Sequence, residues 1–191
     1  MKRTNRMISI LLAAMMLLSM LTGFTLTVGA AGANLISNPS FEDGEQSGSW
    51  AAPEGSMEYD ESFAHEGNAS MKMVTGTAFA QTTYLNVVPH TDYRISGWMY
   101  VEKEEDLGKM FIDLWDCRGE VELYAKKAGE WQYVSGIWNS YTANSVRLRC
   151  VGLEGAAGAA WFDDLAIEQL DDATELENGS FEEDTEFWTS Q

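Results

Sequence analysis

The sequence predicts an all-β fold, an antiparallel β-sandwich, and three observations carry that prediction. Apolar residues recur with period two along most of the chain beyond residue 34, and turn residues interrupt them at short intervals. No stretch of twelve or more residues keeps a helical period with caps at both ends, so helices are limited to short turns.

The elements follow in order. "ASMKMVT" places Met71 and Met73 on one face, and "TDYRISGWMYV" places Tyr93, Ile95, Met99 and Val101 on one face, with Trp98 and Tyr100 out of phase. "SVRLRCV" sets Val146, Leu148 and Cys150 against Arg147 and Arg149. Further strands are expected at Leu35 to Ile36, Met57 to Tyr59, Phe79 to Val87, Met110 to Trp115, Val121 to Tyr124, Trp131 to Trp138 and Trp161 to Ile167. Gly67, Pro89-His90, Gly108, Gly129 and "EGAAGAA" supply the breaks. In a sandwich one face of each sheet fills the core and the other meets solvent or a ligand. Trp131, Tyr93 and Phe162, in phase with apolar neighbours, are expected in the core.

Residues 1–33 read as a secretory signal peptide. Lys2, Arg3 and Arg6 precede an apolar run from Met7 to Leu21, and "VGAAGA" offers cleavage after Ala30, Ala31 or Ala33. The run is shorter than the roughly 20 residues of a spanning helix, so export with cleavage is expected, giving a secreted, extracellular or cell-surface protein with no membrane contact afterwards. Removing 33 of 191 residues leaves 158, enough for one module but few for two. The leader holds three of the 12 Lys and Arg and none of the 30 Asp and Glu, so the remainder carries a formal charge of −21. Such a charge disfavours nucleic acid and anionic membrane as partners, while solvated acids keep a secreted protein soluble.

Two cysteines, Cys117 and Cys150, stand in a chain bound for an oxidising compartment, where they are free to bridge or not. With only His65 and His90, a histidine-based zinc site or a Ser-His-Asp triad has little to draw on.

Five blocks in order, "NLISNPSFEDG", "HEGNASMKM", "VVPHTDYRISGWMYVE", "GEWQYVSG" and "AAWFDDLAIEQL", resemble the carbohydrate-binding modules of families four, nine and twenty-two. The resemblance spans Asn34 to about Leu170 and implies a jelly-roll sandwich of galactose-binding-like topology, with the module at 34–172. It implies a non-catalytic module of a secreted multi-modular, polysaccharide-acting protein, which binds plant or microbial glycan chains in a concave-face cleft. A non-sugar-binding jelly roll, used as a spacer or cell-surface interaction module, is the alternative.

The family resemblance further implies a structural calcium ion. Matched by motif, its side-chain ligands are Glu42 of "SFE", Glu66 of "HEGN" and Asp163 of "FDD", with backbone oxygens from Ser40 and Ala69. Calcium takes six to eight hard oxygen ligands, and carboxylates gathered from distant segments repel one another without a cation. The cleft residues implied are Phe79, Gln81, Trp115 and Asp116, on the strands Ala78 to Thr83 and Met110 to Cys117, with Trp98, Tyr124 and Arg118 as neighbours. Binding members place a Trp or Tyr where this chain has Phe79. An aromatic platform with a few polar groups is what a sugar needs, with its apolar C–H faces and rim of hydroxyls.

A glycosidase needs two carboxylates about 5–5.5 Å or 6.5–9.5 Å apart across a sugar cleft. The clustered acids here are better explained as cation ligands, and "EKEEDLG" and "EQLDDATELE" as solvated runs, so catalysis by this chain is not expected. Finally, "NPSFEDG" at 38–44 is echoed by "NGSFEED" at 178–184, with Asn38, Ser40, Phe41 and Glu42 each answered 140 residues later. The first copy reads as the opening strand of the module. Residues 173–191 then read as a linker and the start of a second similar module, with the whole expected to act as a monomeric module tethered to further domains.

Overall fold

The protein is described by a computed structural model over residues 32–44, 48–53, 56–73 and 78–170. The expected leader lies almost wholly outside these residues, and the expected second module start lies outside them entirely. Among the described residues no helix is long and apolar enough to cross a membrane.

Eleven strands form two antiparallel sheets. They are β1 (Trp50–Ala51), β2 (Met57–Asp60), β3 (Ser70–Met73), β4 (Ala78–Thr82), β5 (Leu85–Asn86) and β6 (Asp92–Val101), followed by β7 (Met110–Trp115), β8 (Glu122–Tyr124), β9 (Trp131–Asn139), β10 (Ser145–Gly152) and β11 (Ala160–Gln169). One sheet has six strands in the order β1-β4-β10-β7-β8, with β5 pairing to β10, and the other has five in the order β2-β3-β11-β6-β9. Among the described residues a 3₁₀ turn, Glu104–Asp106, interrupts the β pattern.

Alternation sets the core as expected. Met71, Met73, Tyr93, Ile95, Met99, Val101, Val146, Leu148, Cys150 and Phe162 are all buried between the sheets. Removing a large side chain from such a core costs about 2–5 kcal/mol. At Gly97 a Cβ would stand 2.3 Å from Leu165 of the five-stranded sheet and 3.2 Å from Ile112 of the six-stranded one. A larger residue at that point must displace the Leu165 side chain in a closely packed core.

Several expectations need correction. "NPSFEDG" forms turns and not a strand: Asn38 and Phe41 both take left-handed backbone, with φ of 51° and 61°. The bend serves packing, because it drops Phe41 into the core against Trp50 at 5.2 Å and Tyr59 at 6.0 Å. Leu35 and Ile36 are extended only as a short flap on β11, held by Leu35 N–H donating to the Ile167 carbonyl. The single strand expected from Phe79 to Val87 is two, β4 and β5. Trp131 is not in the core. It pairs opposite Tyr100 on the outer side of the five-stranded sheet, since Trp138 takes the inward phase of β9.

The register also rules out the cysteine bridge. Cys150 lies opposite Ile112 of β7, buried between the sheets, whereas Cys117 follows the end of that strand at Trp115, and both thiols are free. Burial, followed by the charges of Asp113 and Asp116, pushes the Cys117 thiol up to about 11, so it is protonated and inert at neutral pH.

Candidate functional site

The outer face of the six-stranded sheet is organised in rows, because antiparallel pairing brings residues of like phase side by side. One row runs Phe79, Val151, Phe111, Tyr124 and is apolar or aromatic throughout. The next runs Ala51, Gln81, Arg149, Asp113, Glu122 and is almost wholly polar. Beyond it Arg147 stands beside Trp115. The face is therefore striped, an apolar band beside a band of hydrogen-bonding groups.

The two central charges of the polar band, Arg149 and Asp113, are already paired. Arg149 grips Asp113 in a two-pronged fork, its Nε donating to Oδ1 at 2.9 Å and its terminal nitrogen to Oδ2. The same guanidinium lies 3.9 Å from the centre of the Trp115 ring, which fixes the indole while leaving it 47% exposed. Arg147 repeats the device with Tyr84, its guanidinium 4.5 Å from the ring centre and 3.8 Å from Asp116 Oδ2. The Tyr84 hydroxyl donates to the same Asp116 oxygen at 3.0 Å, and Tyr84 is 56% exposed. Arg147 Nε is buried without a hydrogen-bond partner, a donor held in reserve at the edge of the face. Tyr124 donates to Glu122 at 2.7 Å, and burial, then the Glu122 carboxylate, pushes its hydroxyl up to about 12.

A groove of about 600 Å3 opens on this face, lined by Asp113, Trp115, Asp116, Arg118, Glu122 and Arg149. That volume is in the range of small-ligand sites. Arginine–carboxylate forks present donors and acceptors at fixed geometry with little net charge, and the rings present flat apolar faces. Such a combination suits a neutral polyol, whose hydroxyls each donate and accept and whose ring has an apolar side.

Of the residues singled out from sequence, Phe79, Gln81, Trp115 and Asp116 come together on this one face, with Tyr124 and Arg118 at its far side. Trp98 does not join them. It lies on the outer side of the five-stranded sheet, stacked on His65 at 3.8 Å. Sequence reading missed Tyr84, Asp113 and the site role of Arg147 and Arg149. The alternation of "SVRLRCV" did place both arginines outward, but nothing along the chain tells that β10 lies between β4 and β7.

The expected calcium residues are dispersed around one loop. Glu42 Oε1 accepts N–H from Asn68 at 2.8 Å and Ala69 at 2.9 Å, and its Oε2 accepts the Asn68 side chain, and these bonds lower its pKa. Gly67 is required there: its φ is +69°, and a Cβ would meet Glu42 Oε1 at 2.3 Å. Asp163 is fully buried and accepts N–H from His65, Glu66 and Asp164, yet burial still pushes its carboxyl up to about 6. Glu66 is exposed, and Ser40 lies in the turn of "NPSFEDG". Among the described residues no three acidic, His or Cys side chains converge as a metal-binding group. The donor set suits calcium in kind, being all oxygen. Its arrangement is one in which loop N–H groups occupy the carboxylates.

Comparison with known proteins decides the family. A family model described as a carbohydrate-binding domain, of the type that joins families 4 and 9, matches residues 33–152. The chain belongs to that family. The carbohydrate-binding domain extends beyond the matched stretch, because β11 lies after residue 152 and sits in the middle of the five-stranded sheet. Among solved structures it is similar to TmCBM61 in complex with beta-1,4-galactotriose, at 20% identity and a TM-score of 0.53, over 72% of this chain and 99% of that one. A family 16 carbohydrate-binding module matches at 17% identity and a TM-score of 0.54, over 70% and 99%. The CBM22-1 xylan-binding domain from Paenibacillus barcinonensis Xyn10C matches at 20% identity and a TM-score of 0.50, over 73% and 96%. These likenesses establish the β-sandwich fold. A search of curated proteins finds no significant match. The domain is a non-catalytic one.

Proposed function

We propose that the domain holds a neutral polysaccharide chain in the groove across the outer face of the six-stranded sheet. The observation that carries this reading is the Trp115 ring, half exposed and braced by an arginine that is itself locked to Asp113. Trp115 and Asp116 then line the groove itself, and Phe79 and Gln81 extend the same face beyond Arg149, with apolar contact from the rings and hydroxyl contacts from the fork and the amide. Plant or microbial glycans are the class in view, since the similar structures include a xylan-binding domain and a module in complex with beta-1,4-galactotriose. A spacer module is expected to fill or flatten this face, and here it carries a groove. The test is affinity electrophoresis in gels cast with xylan, mixed-linkage β-glucan or β-1,4-galactan, with insoluble cellulose as a pull-down. Retardation by at least one soluble polysaccharide is expected, and migration unaltered in all of them overturns the reading.

The wider setting is part of the same proposal. The domain is a monomeric, secreted, non-catalytic accessory module, exported by the leader at 1–33 and joined through 173–191 to a second similar module of a polysaccharide-acting protein. Calcium, held by Ser40, Glu42, Glu66, Ala69 and Asp163, is its structural ion. Support comes from Asp163, a buried carboxylate that among the described residues makes no ion pair. A native-state ligand at 100 times its Kd adds about 2.7 kcal/mol, so chelator should lower the thermal transition. An unchanged transition removes the ion from the account.

A further inference from the structure

The face of the six-stranded sheet ends at β8, and there the surface turns over the edge of the sandwich onto β9 of the five-stranded sheet, where Tyr133 lies on the outer side beside Trp98. A second groove, of about 540 Å3, lies over the seam between β8 and β9, lined among others by Glu122, Tyr124, Lys126, Gln132, Tyr133 and Ser135. β8 ends one sheet and β9 ends the other, so the seam brings together one edge strand of each sheet. Glu122 is a wall of both grooves. The two are therefore neighbours with a shared carboxylate at their boundary.

The second groove repeats the chemistry of the first. Tyr133 is 52% exposed, and its ring meets Trp98 at 5.6 Å and 60°. Trp98 is fixed in turn by its stack on His65. An exposed ring with a rigid aromatic backing loses little freedom when a ligand lies on it. Gln132 holds the β8–β9 loop in place, accepting N–H from Lys126 at 3.0 Å and donating to the Lys127 carbonyl. At the boundary the Tyr124 hydroxyl donates to Glu122, so that carboxylate is oriented and keeps acceptor capacity on both sides.

We infer that a bound glycan continues over β8 into this second groove, where Tyr133 stacks on a further sugar unit and Glu122 accepts hydroxyls at the crossing. The inference rests on the reading of the first groove as the glycan site. Its consequence is a length preference: short oligosaccharides fill the first groove only, and longer ones reach Tyr133.

The test uses the full chain and the polysaccharide among xylan, mixed-linkage β-glucan and β-1,4-galactan that retards it. Calorimetric titration with the tri- and hexasaccharide of that polymer is run on wild type, Tyr133→Ala, Tyr133→Phe and Trp115→Ala. Tyr133→Ala should bind the hexasaccharide roughly tenfold more weakly and the trisaccharide unchanged, as expected for one lost ring contact. Tyr133→Phe should behave as wild type, and Trp115→Ala should weaken both ligands. If Tyr133→Ala binds both as wild type does, or loses both equally, the second groove is not a separate subsite and the inference falls while the first site stands. If wild type is retarded by none of the polymers, the first site fails and takes the second with it.

Discussion

Aromatic residues beneath the loop 61–69 on the five-stranded sheet and those beside the groove on the six-stranded sheet are used in opposite ways. On the five-stranded sheet, Tyr100, Trp131 and Trp161 are packed beneath the loop 61–69, where Phe63 touches all three at 4.9, 5.5 and 5.1 Å. The Trp161 indole is tied down by donating to Asp60 at 2.8 Å. On the six-stranded sheet side, Trp115 and Tyr84 each lie against an arginine with the ring half exposed, and Trp115 lines the groove. Rings that satisfy one another under a loop form a satellite core, whereas rings interleaved with paired charges and open to solvent form a platform. Ring count alone does not distinguish a binding face from a packed one.

Breaking the packed face should have the largest effect on stability and none on binding. Phe63→Ala removes the ring on which three others rest and should cost about 2–4 kcal/mol in urea unfolding, with polysaccharide retardation unchanged. Breaking the open face should do the reverse in part. Asp113→Ala leaves the half-buried Arg149 without its carboxylate and frees the Trp115 ring, so glycan affinity should fall at least about tenfold, with about 1–3 kcal/mol lost from stability.

A smaller effect tests the loop that covers the packed face. Asp163 has a folded pKa of about 6, raised chiefly by burial, against about 3.9 for an unfolded aspartate. As pH rises from 4 to 6 the unfolded chain gives up this proton and the folded chain keeps it, so Asp163 contributes a loss of stability across that window. In chelator, Asp163→Asn should flatten the fall seen in wild type between those values, read as the difference between the two transition temperatures. Saturating calcium should reduce or reverse the wild-type slope, since a bound cation favours the carboxylate. The smallest change is expected at the exposed pair of Lys72 and Glu58, 3.6 Å apart, where Glu58→Gln should alter stability by less than about 0.5 kcal/mol.

Much of this was legible along the chain because alternation is a local property. The inward phases of β3, β6 and β10 follow directly from "SMKM", "YRISGWMYV" and "VRLRC", and so does the outward placement of Arg147 and Arg149. What was not legible depends on register between strands distant in sequence. The fork of Arg149 to Asp113 joins residues 36 apart, and only the β7–β10 pairing makes it. Trp131 was misread because β9 has aromatic residues in both phases, and Trp138 took the core. "NPSFEDG" was misread as a strand because its bend relies on left-handed backbone at Asn38, a residue type that favours it, and at Phe41, a type that does not announce it.

The most direct measurement compares Trp115→Ala with wild type in two assays on the same preparation. Affinity electrophoresis in the retarding polysaccharide reads the groove, and thermal unfolding reads the fold. Because Trp115 is 47% exposed and lies outside the core, retardation should be abolished with the transition within about 2 °C of wild type. Retardation equal to wild type, or a transition lowered by many degrees, would contradict the assignment of this face as the glycan-binding surface.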